Sequence, residues 1–142
     1  MKPIILTTDE LMDVFNGVRN TVRRLSQKYC SGDVLYVQEV WGVGCRPDCS
    51  CGWVDGIEYK VDCEYLDEWD SLPLYHANKE ELLELFESDD IGGWRSASTM
   101  PQEAARLFLK IKSIEPECYR NKMCALIEFE VMDERQARNE SA

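Results

Sequence analysis

A group of arginines near the amino terminus has the residue types and spacing to hold an anion. Arg19, Arg23 and Arg24 follow one another closely, and Lys28 lies just beyond them. Guanidinium groups form paired hydrogen bonds with phosphate, so this cluster predicts an anion-binding edge. Arg19 and Arg23 have the same parity on a strand, which favours their pointing into one cleft. The competing interpretation, given equal weight, is a solvated strand face that pairs with acidic residues.

Aromatic and hydroxyl residues further along the chain could hold a base. Trp94 and Arg95 occupy a glycine-rich loop, where an aromatic ring and a guanidinium group can stack on an unstacked base. Trp41 could join them, although its position at a strand end favours a place in the core. Ser98 and neighbouring hydroxyl residues are expected to contact the same ligand, with ordinary turn chemistry as the alternative.

A single acidic residue, Glu39, is the candidate for base recognition or proton transfer. It lies near the end of a run of β-branched and aromatic residues, 34–41, that follows a Gly32-Asp33 turn. We expect one strand here, on which alternation places Glu39 and Trp41 on the same face. The Glu39 carboxylate would accept a hydrogen bond from a base amino group, or act as a general base in an enzyme.

Four cysteines allow two interpretations. Four thiolates can hold a structural zinc ion tetrahedrally. The spacing Cys-x3-Cys-x-Cys-x11-Cys departs from the paired Cys-x2-Cys pattern, however, so ordinary reduced thiols are the favoured alternative. No other cofactor is expected. The candidate metal ligands are Cys45, Cys49, Cys51 and Cys63.

The composition predicts one domain and a strongly uneven charge. The chain has 142 residues and a formal net charge of −11, which disfavours nonspecific nucleic-acid binding. Eleven of the 27 acidic residues lie between residues 62 and 90, against one basic residue, Lys79. This acidic segment is interpreted as a solvated insertion or, alternatively, as a docking surface for a basic host protein. No apolar run suits a membrane span or a signal peptide, so we expect a cytoplasmic protein with reduced cysteines and no membrane partner.

Short strands and helices outside βαβ order predict an α+β fold with a small barrel-like sheet. A capping box at Thr7 and Glu10 opens a first helix, which Asn16 and Gly17 close. A second capping box at residues 78–81 opens another helix, and Pro101 starts one turn at 102–106. A loop is expected at 42–55 and a frayed polar tail at 133–142. Strands are predicted at residues 2–6, 19–25, 34–41, 57–65, 107–114 and 125–132.

Four segments, taken in order, carry a family pattern. They are Lys2-Pro3-Ile4-Ile5-Leu6 with the helix after it; Gly17-Val18-Arg19-Asn20-Thr21-Val22-Arg23-Arg24; Gly32-Asp33 with the run through Trp41; and Trp94-Arg95 with residues 100–106. Together they resemble the ASCH domain family of the PUA-like superfamily, and in particular its small phage and prophage members. The match makes residues 1–132 one domain, with residues 42–90 as an insertion and 133–142 as a tail.

The resemblance implies a small PUA-like mixed β-barrel with flanking short helices and a cleft that receives RNA or a modified nucleoside. Some relatives deacetylate N4-acetylcytidine with a lysine, a threonine and a glutamate, and others are ribonucleases. Arg19 and Val22 stand where that motif has the lysine and a threonine, and they offer neither a proton acceptor nor a hydroxyl. We therefore interpret the chain as a binding domain, with an amidohydrolase or ribonuclease that uses Glu39 as the alternative. The predicted ligand-binding residues are Arg19, Arg23, Arg24, Glu39, Trp41, Trp94, Arg95, Ser98 and Arg106.

Overall fold

The computed structural model of the protein describes residues 1–25, 28–44, 56–65 and 93–141. They belong to two compact units. The first unit is Met1–Val37 with Arg106–Ala142, and the second is Gln38–Ala105. None of the helices within the described residues is long and apolar enough to cross a membrane.

The first unit is built on a five-stranded sheet in the order β1-β3-β6-β7-β2. β6 pairs antiparallel with both β3 and β7, and β7 pairs antiparallel with β2. The strands are β1 (Lys2–Ile5), β2 (Thr21–Arg24), β3 (Val34–Gln38), β6 (Phe108–Tyr119) and β7 (Lys122–Met132). The sheet brings β2, from the start of the chain, against β7, from its end.

Helix α1 (Thr8–Phe15) begins and ends where the sequence predicts. The Glu10 amide donates to Thr7 Oγ1 at 3.2 Å, and the Thr7 amide donates back to the Glu10 carboxylate at 3.0 Å. Asn16 caps the other end, and Gly17 follows with a φ of +72°, a conformation that glycine adopts without steric cost. The helix packs through Leu11 and Val14, which are both buried.

The core of the first unit lies between α1 and one face of the sheet. Apolar residues alternate along β7, whereas consecutive residues of β3 and of the start of β6 are buried on both faces. Leu35, Leu109 and Ile127 are fully buried in this core. Among the described residues the cluster is Ile4, Leu6, Leu11, Val14, Val22, Tyr29, Leu35, Val37, Leu107, Leu109, Ile111, Ile127 and Phe129.

β6 and β7 form a long hairpin that the sequence only partly predicts. The alternation at 107–114 and 125–132 indicated two strands, but pairing continues to Tyr119 and Lys122. Pro116, which lacks an amide donor, obscured this extension. It is accommodated because the β3–β6 register covers only residues 108–110 of β6, well before Pro116. Arg120 and Asn121 form the turn with φ angles of 50° and 63°.

Residues 133–142 were expected to fray, but most of them form helix α3 (Glu134–Ser141). Asp133 caps it, since its carboxylate accepts from the Gln136 amide at 2.8 Å. Ala137 is buried, and Arg138 lies over the ring of Phe108 at 5.5 Å. Polar composition predicted a tail because this helix buries a small alanine rather than an apolar stripe.

The second unit contains a two-stranded antiparallel sheet and short helices. β4 (Trp41–Gly44) pairs with β5 (Gly56–Tyr59), and α2 (Lys60–Tyr65) follows β5 directly. Two 3₁₀ turns, Ala97–Thr99 and Gln102–Ala104, end the unit. The second matches the turn predicted after Pro101.

Two predicted strands are wrong in their extent. The run at 34–41 is divided at Glu39, because β3 pairs with β6 whereas β4 pairs with β5. Glu39 and Trp41 therefore do not share one strand. The run at 57–65 ends as a strand at Tyr59 and continues as α2; buried Val61, in the first turn of that helix, extends the alternation of Ile57 and Tyr59 and so made the strand look longer.

The α+β class is confirmed, whereas a closed barrel is not shown. β1 and β2 are the two edges of the sheet. A side chain links them, because Arg24 Nη2 donates to the Ile5 carbonyl at 2.8 Å. The second capping box and most of the predicted loop and acidic segment lie outside the described residues.

Candidate functional site: a basic groove at the hairpin tip

A groove of about 460 Å³ lies in the first unit, where the tip of the β6–β7 hairpin meets the end of β2. Four basic residues line it, Arg23 and Arg24 from β2 and Arg120 and Lys122 from the hairpin. Tyr119 supplies an aromatic ring to the same wall. We call this the basic groove. It exists because β2 pairs with β7 beside the tip, with Arg24 opposite Ala125.

Tyr119 lies between cationic neighbours in this groove. The Arg23 guanidinium is 4.9 Å from the centre of the Tyr119 ring, and the Arg120 guanidinium is 5.3 Å from it. Cations are attracted to the negative face of an aromatic ring, so these contacts hold the two arginines near each other despite their like charge. The Tyr119 side chain nevertheless remains 45% exposed.

Two of the four cations are neutralised within the unit. Arg23 forms a paired contact with Glu117, with nitrogen–oxygen distances of 2.8 and 3.3 Å. The hydrogen bond that Arg23 donates to the Glu117 carboxylate raises the pKa of Arg23, which stays charged. Arg24 donates to Glu10 at 2.9 Å and to the backbone carbonyls of Ile5 and Arg23. Arg24 is therefore committed to holding α1, β1 and β2 together.

The other two cations are available to an anion. Among the residues that the structure describes, Arg120 and Lys122 form no ion pair. Arg120 lies in the turn at the hairpin tip and Lys122 directly follows that turn, where water screens them and their long side chains can reorient. These two residues give the groove an excess of positive charge on a chain that is acidic as a whole.

The remaining basic residues of the prediction serve other contacts in the first unit. Arg19 precedes β2 rather than lying in it, and its guanidinium binds Asp13 at 2.9 Å. Arg106 lies 5.1 Å from the centre of the Phe15 ring, and Lys28 lies 5.2 Å from that of Tyr29. Arg19 and Arg23 thus bind different carboxylates. The prediction that they point to the same side assumed that both lie in one strand, and Arg19 precedes that strand.

The aromatic residues of the prediction lie in the second unit. Trp41 is buried, only 2% exposed, and its indole N–H donates to Thr99 Oγ1 at 3.1 Å. Arg95 pairs with Trp41 through the backbone, and its guanidinium lies 5.3 Å from the Trp41 ring centre. Trp41 therefore lies in the core of the second unit, which is the position that its place at a strand end favoured. The Thr99 hydroxyl is also used internally, since it donates to the Ser96 carbonyl at 2.5 Å.

Trp94 differs from Trp41 because its ring is 40% exposed. It packs against the backbone of β4, where a Cβ built on Gly42 would lie 3.4 Å from the Trp94 ring and 2.9 Å from the Gly93 carbonyl. Glycine at position 42 thus allows the ring to rest on the strand with much of its surface in water. Ser98, in the 3₁₀ turn that follows, is exposed as well, and a stacking role for Trp94 stays a prediction.

Glu39 is buried, whereas a general base that acts on a bound ligand must be reachable by that ligand. Its side chain is 1% exposed in the second unit. Glu58 of β5 was missed by sequence reasoning, and partial burial raises its pKa above the ordinary value. The predicted cleft residues are divided between the units: Arg19, Arg23, Arg24 and Arg106 belong to the first and Glu39, Trp41, Trp94, Arg95 and Ser98 to the second. The single cleft stays a prediction.

The zinc prediction also stays a prediction. Cys45, Cys49 and Cys51 lie outside the described residues, and of Cys63 only the backbone is described. Within the described ranges there is no cluster of three or more His, Cys, Asp or Glu residues that could hold a metal ion. Of the cysteines whose side chains are described, Cys30 and Cys118 are exposed free thiols and Cys124 is partly exposed.

Three residues of the basic groove, Tyr119, Arg120 and Lys122, were missed from the sequence. The signal for them was Asn121, because asparagine tolerates the left-handed backbone of a tight hairpin turn. Reading Arg120 and Asn121 as such a turn would have paired Tyr119 with Lys122. Their approach to Arg23 could not be foreseen, since it depends on β2 adding to β7.

Comparisons of the chain with protein-family models, with curated proteins and with solved structures find no match.

Proposed function

We propose that this protein binds single-stranded RNA through the basic groove. The observation that supports this most directly is that Arg120 and Lys122, neither in an ion pair among the described residues, line the same groove as the exposed Tyr119 ring. Phosphate groups bind such cations, and unstacked bases stack on aromatic rings and guanidinium planes. The groove thus combines both kinds of contact that a flexible single strand needs.

The charge of the chain is compatible with this function because it is unevenly distributed. The net charge is −11, but eleven acidic residues lie between residues 62 and 90. The rest of the chain is nearly neutral, so a local cationic groove can still attract a phosphate at close range. Screening limits such attraction to about 10 Å in 0.1 M salt, which makes the neighbouring charges decisive.

The resemblance to the ASCH domain family leads to the same expectation of an RNA or modified-nucleoside ligand. A phage or prophage origin belongs to that resemblance and is proposed with it. Binding rather than catalysis is proposed, because the groove holds cations and an aromatic ring but no carboxylate positioned to accept a proton. Among the described residues, Glu117 and Glu10 contact the lining of the groove, and both are engaged in ion pairs, with Arg23 and Arg24.

The first prediction concerns the two available cations. Replacing them together, Arg120→Asn with Lys122→Gln, should weaken binding of a fluorescein-labelled RNA decamer by at least about tenfold at low salt. Asparagine suits the positive φ at position 120, so the turn is kept. Each phosphate contact contributes about 0.7 to the slope of log affinity against log salt, so two contacts predict a slope of about −1.4 for the unmodified protein and a slope close to zero for this variant.

Lys110→Gln with Lys112→Gln is the matched control. Both lysines lie on β6 far from the hairpin tip, where they pair with Glu140 and Glu128. This variant changes the net charge equally, so its affinity should stay within about twofold if the groove is the site. Equal losses in both variants, or equal affinity of the unmodified protein for RNA and for inorganic polyphosphate, would contradict the proposal.

A further inference from the structure

A second cavity adjoins the basic groove and has a different chemical character. It measures about 210 Å³ and is lined by apolar groups, among them Tyr29, Ile114 and Pro116. Leu25 and Cys124 line both the cavity and the groove, so the two adjoin each other where β2 ends. We call this cavity the apolar pocket. Strand alternation places Ile114 and Ala125 on the core face of the sheet and Arg23 on the other face, so a strand bound in the groove reaches this pocket around the edge of β7.

The pocket is formed at the margin of the hydrophobic core. Tyr29 belongs to the core cluster, and Ile114 and Ala125 pack against it. The Tyr29 hydroxyl donates to the Pro3 carbonyl at 2.9 Å. This hydrogen bond holds the Tyr29 ring in place as a wall of the pocket, and it already uses the only polar group of that side chain.

The rim of the pocket leaves large apolar side chains in water. Leu25 is 68% exposed and Met123 is 65% exposed. Contiguous exposed apolar surface commonly marks a place where a ligand or partner binds. Methionine is also well suited to contact flat rings, because its side chain is flexible and its sulfur is polarizable.

We infer that the apolar pocket receives one base of the RNA strand whose phosphates lie in the basic groove. This inference rests on the proposed function and specifies how the ligand is held. The volume is below the roughly 300–1,000 Å³ of sites for drug-sized molecules, so one planar heterocycle is the appropriate occupant. A base in a duplex is stacked and paired on all sides, so the pocket selects single strands, ends or extruded nucleotides.

The walls indicate what kind of recognition follows. The side chains that line the pocket consist of carbon and sulfur, apart from the Tyr29 hydroxyl, which already donates to the Pro3 carbonyl. Stacking on apolar and aromatic walls discriminates weakly among bases. The protein therefore distinguishes nucleotides that carry a base from those that do not, and single strands from duplexes, rather than one sequence from another.

The test compares an RNA octamer with the same chain of ribose phosphates without bases, which keeps the charge. The unmodified protein should bind the octamer roughly tenfold more tightly, the range expected for one stacked base. Ala125→Leu, which fills the pocket, should reduce this difference to what stacking on Tyr119 supplies, while leaving the affinity for the abasic strand unchanged. Val131→Leu enlarges an exposed side chain of β7 that does not line the pocket and should preserve the difference.

Met123→Gln provides a second variant that leaves the packing of the core unchanged. It makes an exposed rim residue polar and should reduce the preference for base-bearing RNA, so the inference remains testable if Ala125→Leu does not fold. A preference for base-bearing RNA that Ala125→Leu and Met123→Gln leave unchanged overturns this inference but leaves the basic groove in place, whereas equal binding of both strands by the unmodified protein contradicts base stacking in either place. If neither strand binds, and an acidic peptide bearing an aromatic residue does, the groove is a protein-docking site and both proposals are wrong.

Discussion

At the scale of single residues, the groove depends on how each arginine is neutralised. Arg19 and Arg24 are engaged by Asp13 and Glu10, so their charge stabilises the first unit. Arg23 lies between a carboxylate and an aromatic ring, and Arg120 contacts only the ring among the described residues. Residue type alone therefore overestimates the number of arginines that can bind a ligand.

Glu117 offers a test with the opposite sign. Glu117→Gln keeps the shape and an acceptor for Arg23 but removes a negative charge beside the groove. We expect RNA to bind several-fold more tightly, with a salt slope steeper by about 0.7, because Arg23 gains a full phosphate contact. Anisotropy titrations across a salt series measure both quantities.

Glu128→Gln on β7 is the comparison variant, since that residue pairs loosely with Lys112 at 3.7 Å. It removes the same charge away from the hairpin tip. If Glu117→Gln binds RNA less tightly than Glu128→Gln does, the role of Glu117 is to position Arg23 rather than to compete for it.

At the scale of elements, the ion pair of Glu10 and Arg24 connects a helix with both edge strands. Arg24 leaves β2, binds Glu10 in the first turn of α1 and reaches the last carbonyl of β1. Partial burial alone would raise the pKa of Glu10, but hydrogen bonds from Arg24 and from the Thr7 amide outweigh it and lower the pKa. The charged form is therefore favoured in the folded state.

This lowered pKa predicts how stability depends on pH. The contribution of Glu10 is fully present above its ordinary pKa of 4.5 and is lost as the pH falls through the lower pKa of the folded state. Glu10→Gln should lower the free energy of unfolding by about 1 kcal/mol near neutral pH, a modest value because the pair is partly screened by solvent.

Urea unfolding followed by circular dichroism at neutral pH and at about pH 3 measures the effect. The difference between the variant and the unmodified protein should shrink at the lower pH. The hydrogen bond from Lys2 also lowers the pKa of Asp33, and it is present in both proteins. The pH dependence that Asp33 contributes therefore cancels when the variant is compared with the unmodified protein. A difference that is constant with pH would show that Glu10 contributes through shape rather than charge.

At the scale of the whole molecule, the uneven charge should govern how fast RNA arrives more than how tightly it stays. The chain carries −11, most of it between residues 62 and 90. Long-range repulsion slows the encounter with a polyanion, whereas the cations of the groove determine the contacts once the two have met. If the partner were instead a basic host protein, the same negative charge would attract it and speed up the encounter.

Neutralising part of the acidic segment tests that distinction. Glu80→Gln, Glu81→Gln and Glu84→Gln together should raise the association rate of the RNA decamer several-fold at low salt, with little change in dissociation. The gain should largely vanish near 0.15 M salt, where the screening length is about 8 Å. Stopped-flow fluorescence measures both rates, and a change confined to dissociation would contradict the expectation.

The sequence by itself determined the features that depend on neighbouring residues. The capping box of Thr7 and Glu10, the end of α1 at Gly17 and the alternation along β6 and β7 all follow from contacts within a few positions. The same local rules failed at residues 34–41, because one apolar run serves two different sheets. They also failed at residues 134–141, where a polar helix is held by packing on Phe108.

Only the tertiary structure decided which charges meet. Arg23 and Lys122 line the same groove because β2 adds to β7, a pairing that joins residues nearly one hundred positions apart. Strand pairing is chosen by the fit of buried faces across the whole sheet, and no local pattern records that choice. The arginine-rich motif therefore showed that an anion site was plausible, whereas the fold selected Arg23, Arg120 and Lys122 and committed Arg19 and Arg24 to other contacts.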